Sequence, residues 1–331
     1  MNKPLKNIAV KALRAAHASP LGGVMNDVVR ECGGFDLSWL DNMGWEQLDP
    51  IFKYCRRRLF ADPNWRFGPK RVHEVAGEAF RALSMFHEIK NARYADMGCG
   101  HHPFGTSSIF YLNGAASCTG LDLRRSRDAE AAQALFDLLV DCLVAPEDWR
   151  WGDISRDAFL KKLQDFDLSA LREGHLEKGL NRASLEYKVS DITKNTLPDN
   201  AFDVMSSRAV LEHFLDFDQA VTELYRIMAP GGHAYHAIDL VDHRWYDHPE
   251  TYHMWSFLAE PPEWTDGVCN RLRAGQFKEK FEQAGFKVVR FDRIREPLPA
   301  GVRDKVAPPY HGMSDEELET TGVHIVVHKP A

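Results

Sequence analysis

The chain has 331 residues, of which 44% are hydrophobic and 27% charged, so it can bury the core of one large domain or of a domain with an appendage. Its net charge of -7 gives no overall field that would favour nucleic acid or an anionic membrane. No apolar run reaches the ~18 residues of a membrane span and the six cysteines show no C-x-x-C pair, so we expect a cytoplasmic protein without a zinc-finger site or a disulfide framework.

The first part of the chain leads into a glycine turn. Residues 1–70 mix short helical patterns with turn signals, and we expect them to form an N-terminal helical cap. Apolar residues at helical spacing predict a helix over residues 72–86. A short strand is predicted over Arg93–Met97, running directly into the glycines of residues 98–100, and a second strand over residues 117–123.

The rest of the chain alternates between strands and helices. Residues 124–184 are too long for a simple crossover and read as an inserted helical subdomain, and residues 239–275 form an aromatic-rich excursion. Further strands are predicted over residues 185–189, 202–206, 233–240, 287–294 and 323–328, and helices over residues 211–228 and 276–284. This alternation predicts an α/β, Rossmann-like fold: a mostly parallel seven-stranded sheet with helices on both faces.

The residues around the glycine turn indicate which kind of ligand it binds. Glycines between a strand and a helix let the backbone approach a ligand closely. Pro103 stands where a dinucleotide fingerprint would have its third glycine, and Asp96 would repel a pyrophosphate but suits a ligand ammonium. Asp122, at the end of the second strand, is placed to accept hydrogen bonds from a ribose diol. The pattern predicts a nucleoside ligand with positive charge and no phosphate.

Several segments appear in the order of the motifs of class I S-adenosylmethionine-dependent methyltransferases, and the chain resembles that family over roughly residues 93–240. The segments are residues 96–100, Asp122, and residues 190–192, 202–214 and 223–232. The resemblance implies S-adenosylmethionine as cofactor and methyl transfer as the reaction. The cofactor residues are Asp96, Gly98 and Gly100 for the amino acid part, Asp122 for the ribose, Leu123, Asp191 and Ile192 for the adenine, and Ser207 at the end of the fourth strand.

The acceptor site is expected at the carboxyl ends of the fourth and fifth strands, where open α/β sheets bind their ligands. His243 is the leading candidate for a general base, because an imidazole titrates near neutrality, and Asp239 or Asp242 could orient it. A plain contact with the acceptor is the alternative for His243. His213 is a second catalytic candidate, since the resemblance implies that the pair Glu212-His213 lies near cofactor and acceptor, and a packing role is the alternative for His213.

Three residues are assigned to substrate binding: Arg208, Asp242 and Arg271. The two arginines among them can clamp a carboxylate or phosphate. The acceptor is expected to offer a hydroxyl or an amine on a small polar molecule, such as a sugar or an anionic metabolite. His233 and His236 invite a metal site with Asp239, but on a strand they point to opposite faces. No residue is therefore assigned to a metal.

Two other functions remain open from the sequence: an NAD-dependent oxidoreductase on a similar sheet, and a non-catalytic protein that uses the cofactor fold to bind a partner. Under the main hypothesis residues 71–331 form the methyltransferase domain, whose partner is a small-molecule acceptor and neither nucleic acid nor membrane. The core does not need residues 1–70 or 124–184, so we expect both segments to shape the acceptor pocket. The oligomeric state cannot be read from the sequence.

Overall fold

The computed structural model describes residues 44, 46–47, 68–100, 105–124, 128–181, 183–260 and 268–331. Nearly all of the predicted N-terminal cap therefore lies outside the described residues. The chain divides into two units. Unit 1 comprises Met1–Phe80, Cys99–Cys118 and Arg125–Tyr187, and unit 2 comprises Arg81–Gly98, Thr119–Arg124 and Lys188–Ala331. The predicted boundaries of cap, insertion and excursion stay predictions.

The fold class predicted from the sequence is confirmed. The strands are β1 (Arg93–Met97), β2 (Ser117–Asp122), β3 (Leu185–Val189), β4 (Phe202–Arg208), β5 (Met228–Asp239), β6 (Lys287–Arg295) and β7 (Thr320–His328). They form a seven-stranded sheet with the order β3-β2-β1-β4-β5-β7-β6. β4 runs parallel to β1 and β5, whereas β7 is antiparallel to β5 and β6.

Helices connect these strands. They are α1 (Pro69–Ser84), α2 (Gly105–Leu112), α3 (Asp128–Val144), α4 (Pro146–Trp149), α5 (Arg156–Leu163), α6 (Leu168–Arg172), α7 (Leu176–Gly179), α8 (Phe217–Ile227), α9 (Arg244–Asp247), α10 (Ala274–Gln283) and α11 (Asp315–Glu319). No helix in the described part of the chain is long and apolar enough to cross a membrane.

The core of unit 2 lies between the sheet and two amphipathic helices. α8 buries Phe217 and Leu224, and α10 buries Phe277 and Phe281, all in one cluster with apolar residues of β4, β5 and β7. β1 buries Tyr94, Ala95, Asp96 and Met97, as expected for a parallel strand covered on both faces. This burial fixes the register of the strands, and with it the positions of the residues at their carboxyl ends.

The helix predicted over residues 211–228 is wrong in its first third. Leu211–His213 is a short 3-10 helix, and α8 begins only at Phe217, where Asp216 caps it by accepting from the Gln219 backbone N–H at 3.0 Å. The Asn270 side chain donates to the carbonyl oxygens of Leu211 and Phe214, at 2.8 and 3.0 Å. These carbonyls are therefore satisfied outside any helix, and the chain turns here instead of continuing the helical pattern.

In unit 1, the helices α3 to α7 confirm the helical character predicted for residues 128–182. Hydrogen bonds from several side chains join these helices. The Trp149 indole N–H donates to Asp141 at 2.7 Å, and the Asn113 amide donates to the Trp149 carbonyl oxygen at 2.8 Å. Lys162, in the last turn of α5, donates to the carbonyl oxygen of Ala115, also at 2.8 Å. These bonds tie α2, α3, α4 and α5 together.

Candidate active site

A cleft of about 670 Å³ in unit 2 opens beside the carboxyl ends of β1, β2 and β4. We call it the cofactor cleft. Its lining residues are Met97, Gly98, Leu121, Asp122, Leu123, Ser190, Asp191, Ile192, Thr193, Lys194, Ala209, Val210, His213, Phe214, Leu215 and Asp216. Five predicted cofactor residues from three separate segments are thus brought together, as the topology of a parallel sheet requires.

Gly98 is the tightest point of the cofactor cleft. Its φ of +66° lies in the left-handed region, and a Cβ built on it would come within 2.1 Å of the Val210 Cγ2 atom. Its backbone N–H donates to the Leu121 carbonyl oxygen at 2.8 Å, which joins the turn after β1 to β2. Only glycine fits both the backbone conformation and the available space. The wall of the cleft is therefore bare backbone at this position.

The polar groups of the cleft come from the ends of β2 and β3. Asp122 ends β2, and one of its carboxylate oxygens accepts from the Arg124 backbone N–H at 3.0 Å. The neighbouring Leu123 is 63% exposed, an apolar surface that a planar ring could cover. Asp191 accepts from the Thr193 backbone N–H and hydroxyl at 3.0 and 2.7 Å, and these bonds lower its pKa below the usual range. Ile192 is buried beneath it.

These residues fit a nucleoside with a sulfonium and an amino acid tail. A carboxylate at a strand end suits a ribose diol, the exposed Leu123 offers a face for adenine, and the Asp191 carboxylate can accept from an amino group. The bare backbone at Gly98 allows the close approach that a Cβ would prevent. The fit supports the predicted cofactor residues that line the cleft.

Four other predicted residues lie outside the cleft lining. Asp96 is buried in β1, opposite Ser206 of β4, and Gly100 has the positive φ of +55° expected from a glycine turn. The Ser207 hydroxyl is buried and hydrogen-bonded to His236 Nδ1 at 2.8 Å. Arg208 ends β4. Their assigned contacts with cofactor or substrate stay predictions.

Next to the cofactor cleft, five side chains that can bind protons or metals converge. They are Glu212, His213, Asp239, His243 and Cys269, and we call them the acid–base cluster. The ligand atoms of His213, His243 and Cys269 all lie within 4.8 Å of one another, as do those of Glu212, Asp239 and His243. His243 Nε2 stands 3.6 Å from Asp239 Oδ2, so Asp239 is the carboxylate beside it. His213 also lines the cofactor cleft, which makes the two sites neighbours.

Glu212 is the most deeply buried member of the cluster, with only 2% of its surface exposed. Neither of its carboxyl oxygens has a well-formed hydrogen bond. Burial raises its pKa to about 8, the charge of Asp239 adds to that rise, and nearby backbone N–H groups offset only a part of it. A small cavity of about 20 Å³ adjoins this carboxyl group, and Asp239, His243 and Cys269 also line it.

Two of the predicted substrate residues belong to a buried ion-pair network. Asp242 binds Arg244 through contacts of 2.8 and 2.5 Å, and Arg244 continues to Glu260 at 2.9 Å. Arg271 binds the other oxygen of Glu260 at 3.0 Å and also lines the small cavity. Asp242 is therefore engaged by Arg244, whereas Asp239 lies 3.6 Å from His243 Nε2. Which of the two carboxylates orients His243 stays a prediction.

Two aromatic residues of the excursion pack in a core. Trp255 and Phe257 are buried with Leu258 and Tyr310 in a cluster separate from the sheet core. Tyr246 is 52% exposed, and its hydroxyl donates to Asp239 at 2.6 Å.

Cys269 is the member of the cluster that the sequence did not single out. It lies 26 residues beyond His243 and 57 beyond Glu212, as positions 269, 243 and 212 show, and no local pattern connects them. The one signal available in the sequence was that Cys269 directly precedes the polar stretch Asn270–Arg273. In the structure, that stretch lines the small cavity.

Fold and cleft together are those of a Rossmann-like α/β protein with a ligand-sized cleft at the carboxyl ends of its parallel strands. The chain belongs to a methyltransferase domain family, whose profile matches residues 70–290. This membership confirms the class predicted from the motifs, that of methyltransferases, and S-adenosylmethionine as the cofactor of that class.

Individual relatives are more distant. A segment of 51 residues, 15% of this chain, is 39% identical to phosphoethanolamine N-methyltransferase 3 of Arabidopsis thaliana and spans only 10% of that enzyme's length. One solved structure is a Haloferax volcanii complex of the Trm112 methyltransferase activator with a methyltransferase. The matched chain of that complex is 15% identical to this one, with 80% of this chain and 94% of that chain covered and a TM-score of 0.43. An S-adenosylmethionine-dependent methyltransferase of Mesorhizobium loti is 19% identical, with coverages of 75% and 96% and a TM-score of 0.41.

Proposed function

We propose that this chain transfers a methyl group from S-adenosylmethionine to a hydroxyl or amine of a small polar acceptor. The observation that carries the proposal is the adjacency of two sites in a chain of the methyltransferase family. The cofactor cleft lies beside the acid–base cluster, and His213 belongs to both. A cofactor in the cleft would present its reactive end to a neighbourhood equipped for proton transfer.

The chain's own residues would bind and orient both reactants. Asp122 accepts from the ribose hydroxyls, Leu123 packs on the adenine and Asp191 accepts from its amino group, while Gly98 lets the cofactor's tail lie against the backbone. The bound cofactor supplies an activated methyl group for in-line displacement by an oxygen or nitrogen lone pair. Holding the two reactants in line is worth effective molarities of ~10⁵–10⁸ M, so positioning accounts for most of the acceleration.

His243 and Asp239 act on the acceptor's nucleophile. The distance of 3.6 Å between His243 Nε2 and Asp239 Oδ2 is longer than a hydrogen bond but supports an electrostatic pairing of the two side chains, which are 17% and 22% exposed. For a hydroxyl acceptor, taking up its proton adds about 10²–10⁴-fold to the rate. For an amine that is already deprotonated, the pair positions the nucleophile and needs to take up no proton.

Two classes of acceptor fit this proposal. The Arabidopsis relative is named for phosphoethanolamine, so an amine that carries an anionic group is one class to test. Sugars and anionic metabolites with a reactive hydroxyl are the other. An anionic group would reach Arg271 only in competition with Glu260, which already binds that guanidinium.

Calorimetry and a labelled-methyl screen test this function. We expect S-adenosylmethionine and S-adenosylhomocysteine to bind and NAD not to bind, and a labelled methyl group to reach a metabolite in a mixed pool. The Asp122→Ala variant should weaken cofactor binding by ~1.5–3 kcal/mol, the value of a hydrogen bond to a charged group. Asp292→Ala, an acid on β6 away from the cleft, serves as the matched control. Binding of NAD alone would make the chain an oxidoreductase. Cofactor binding without transfer to any acceptor would support a non-catalytic role.

A further inference from the structure

We propose that the acid–base cluster binds a divalent transition-metal ion of the zinc type. His213, His243 and Cys269 are its nitrogen and sulfur ligands, and a carboxylate oxygen of Glu212 or Asp239 completes the site. The ligand atoms already lie within 4.8 Å of one another in each of two groups that share His243. Tetrahedral zinc sites use such sets of imidazole, thiolate and carboxylate ligands.

The small cavity beside Glu212 can hold a small occupant. Its volume of about 20 Å³ exceeds the ~10–15 Å³ needed for one water molecule. Glu212, Asp239, His243 and Cys269 all line it. Four of the five candidate ligands therefore line this space, and the fifth, His213, lines the adjoining cofactor cleft.

Glu212 supplies an independent argument. A carboxyl group that is 98% buried and lacks a well-formed hydrogen bond is costly, because folding removes its water without replacing it. Coordination to a cation would satisfy it. The described residues around it offer a second carboxylate, two imidazoles and a thiol as metal ligands. The guanidinium groups of Arg271 and Arg273 also line the small cavity, but Arg271 binds Glu260 and Arg273 donates to the carbonyl oxygens of Leu240 and Leu318.

His213 is already held in the form that binds metals. Its Nδ1 lies 2.8 Å from the carbonyl oxygen of Val268, and a carbonyl can only accept, so this nitrogen carries the proton. The lone pair is then on Nε2. Metal-binding histidines commonly use this second bond to fix their tautomer and orientation.

The backbone around the cluster is fixed in advance. The Asn270 side-chain amide donates to the carbonyl oxygens of Leu211 and Phe214. The Asn270 backbone N–H donates to the Glu212 carbonyl oxygen at 2.7 Å. Ala209, shortly before Glu212, and Arg271, shortly after Cys269, have positive φ angles of +51° and +58°. Such strain persists only where the surroundings enforce it, and it gathers at binding sites.

The role of the ion rests on the proposed function, whereas its binding does not. Next to the cofactor cleft, a cation would hold an acceptor hydroxyl and lower its pKa, so that the oxygen attacks as an alkoxide. His243 would then contribute through the cation that it binds. Cation binding can be measured on the full chain without cofactor or acceptor, so a failure of methyl transfer leaves this proposal testable.

The experiment is a titration of the chelator-treated full-length protein, without an affinity tag, with Co²⁺ and Zn²⁺. We expect one equivalent of Co²⁺ per chain and a near-ultraviolet absorption band from thiolate-to-cobalt charge transfer, which Zn²⁺ abolishes by displacement. Cys269→Ser should remove that band. His213→Ala should weaken binding at least ~10-fold, a loss seen even for residues that only support a ligand. His213 is exposed, so its replacement should leave the fold intact.

His248→Ala is the matched control, because His248 is an exposed histidine of the same excursion that also stands beside a carboxylate, 3.5 Å from Glu250. It should bind Co²⁺ like the wild type. Absence of stoichiometric binding would overturn the proposal and leave a buried water as the occupant of the cavity. Binding that survives both Cys269→Ser and His213→Ala unchanged would overturn it as well.

Discussion

At the scale of single residues, two positions carry the argument for function, one in each site. Gly98 leaves the cofactor cleft open because it has no Cβ, which at this position would overlap Val210. His243 provides the acceptor side with an imidazole next to the Asp239 carboxylate. Substitution at either position separates the effect on binding from the effect on chemistry.

Gly98→Ala should destabilise the fold and abolish measurable cofactor binding. The left-handed backbone alone costs an alanine about 1–2 kcal/mol, and the 2.1 Å contact with Val210 adds a steric cost. Urea unfolding and calorimetry measure the two effects. Gly231→Ala is the matched control, because Gly231 has a φ of +80° with no atom within 4 Å, so it reports the backbone cost alone. Equal losses for the two variants would contradict the steric argument.

His243→Ala should lower kcat by ~10²–10⁴-fold on a hydroxyl acceptor, the usual contribution of proton transfer. Cofactor affinity should barely change, because His243 does not line the cofactor cleft. Steady-state kinetics on the identified acceptor provide the measurement. An increase in KM at unchanged kcat would instead show that His243 only binds the acceptor.

At the scale of elements, the sequence predicted what local patterns encode. β1 and β3 were predicted with their observed bounds, because a short, mostly apolar stretch marks β1 and an alternation of apolar and polar residues marks β3. The helix at residues 211–228 failed in its first turn because Asn270, far along the chain, takes the carbonyl groups there. The cofactor residues Asp122 and Asp191 follow strands and were predictable from that position. Cys269 was not, since its partners meet it only in the folded chain.

Asn270→Ala tests how much the 3-10 turn depends on this one side chain. Removing two donors from buried carbonyls should cost ~1–3 kcal/mol of stability and lower the urea midpoint. Asn270→Asp keeps the size and the acceptor oxygen but sets a charge against the same carbonyls, so it should be at least as destabilising. Wild-type midpoints for both variants would show that the turn holds without Asn270.

At the scale of the whole molecule, histidine burial predicts sensitivity to acid. His236 is fully buried against Ser207 and Phe281, and burial lowers its pKa to about 3. The unfolded chain takes up this proton near pH 6.5 and the folded chain does not, so stability should fall as the pH drops below 6.5. The loss from this group is at most about 1.4 kcal/mol per pH unit. Urea midpoints between pH 7 and 4 should decline less steeply for His236→Leu than for Ser207→Ala, which keeps the imidazole.

The turn Val210–His213, which contains the 3-10 helix, links the affinities of the two sites for their ligands. Val210 touches the backbone at Gly98, His213 lines the cofactor cleft, and Glu212 faces the small cavity. A ligand that shifts this turn at one site must shift it at the other. By thermodynamic linkage, whatever factor a bound cation applies to the affinity for S-adenosylhomocysteine, the nucleoside must apply equally to the affinity for the cation. The turn would thus make the two sites a reciprocal pair.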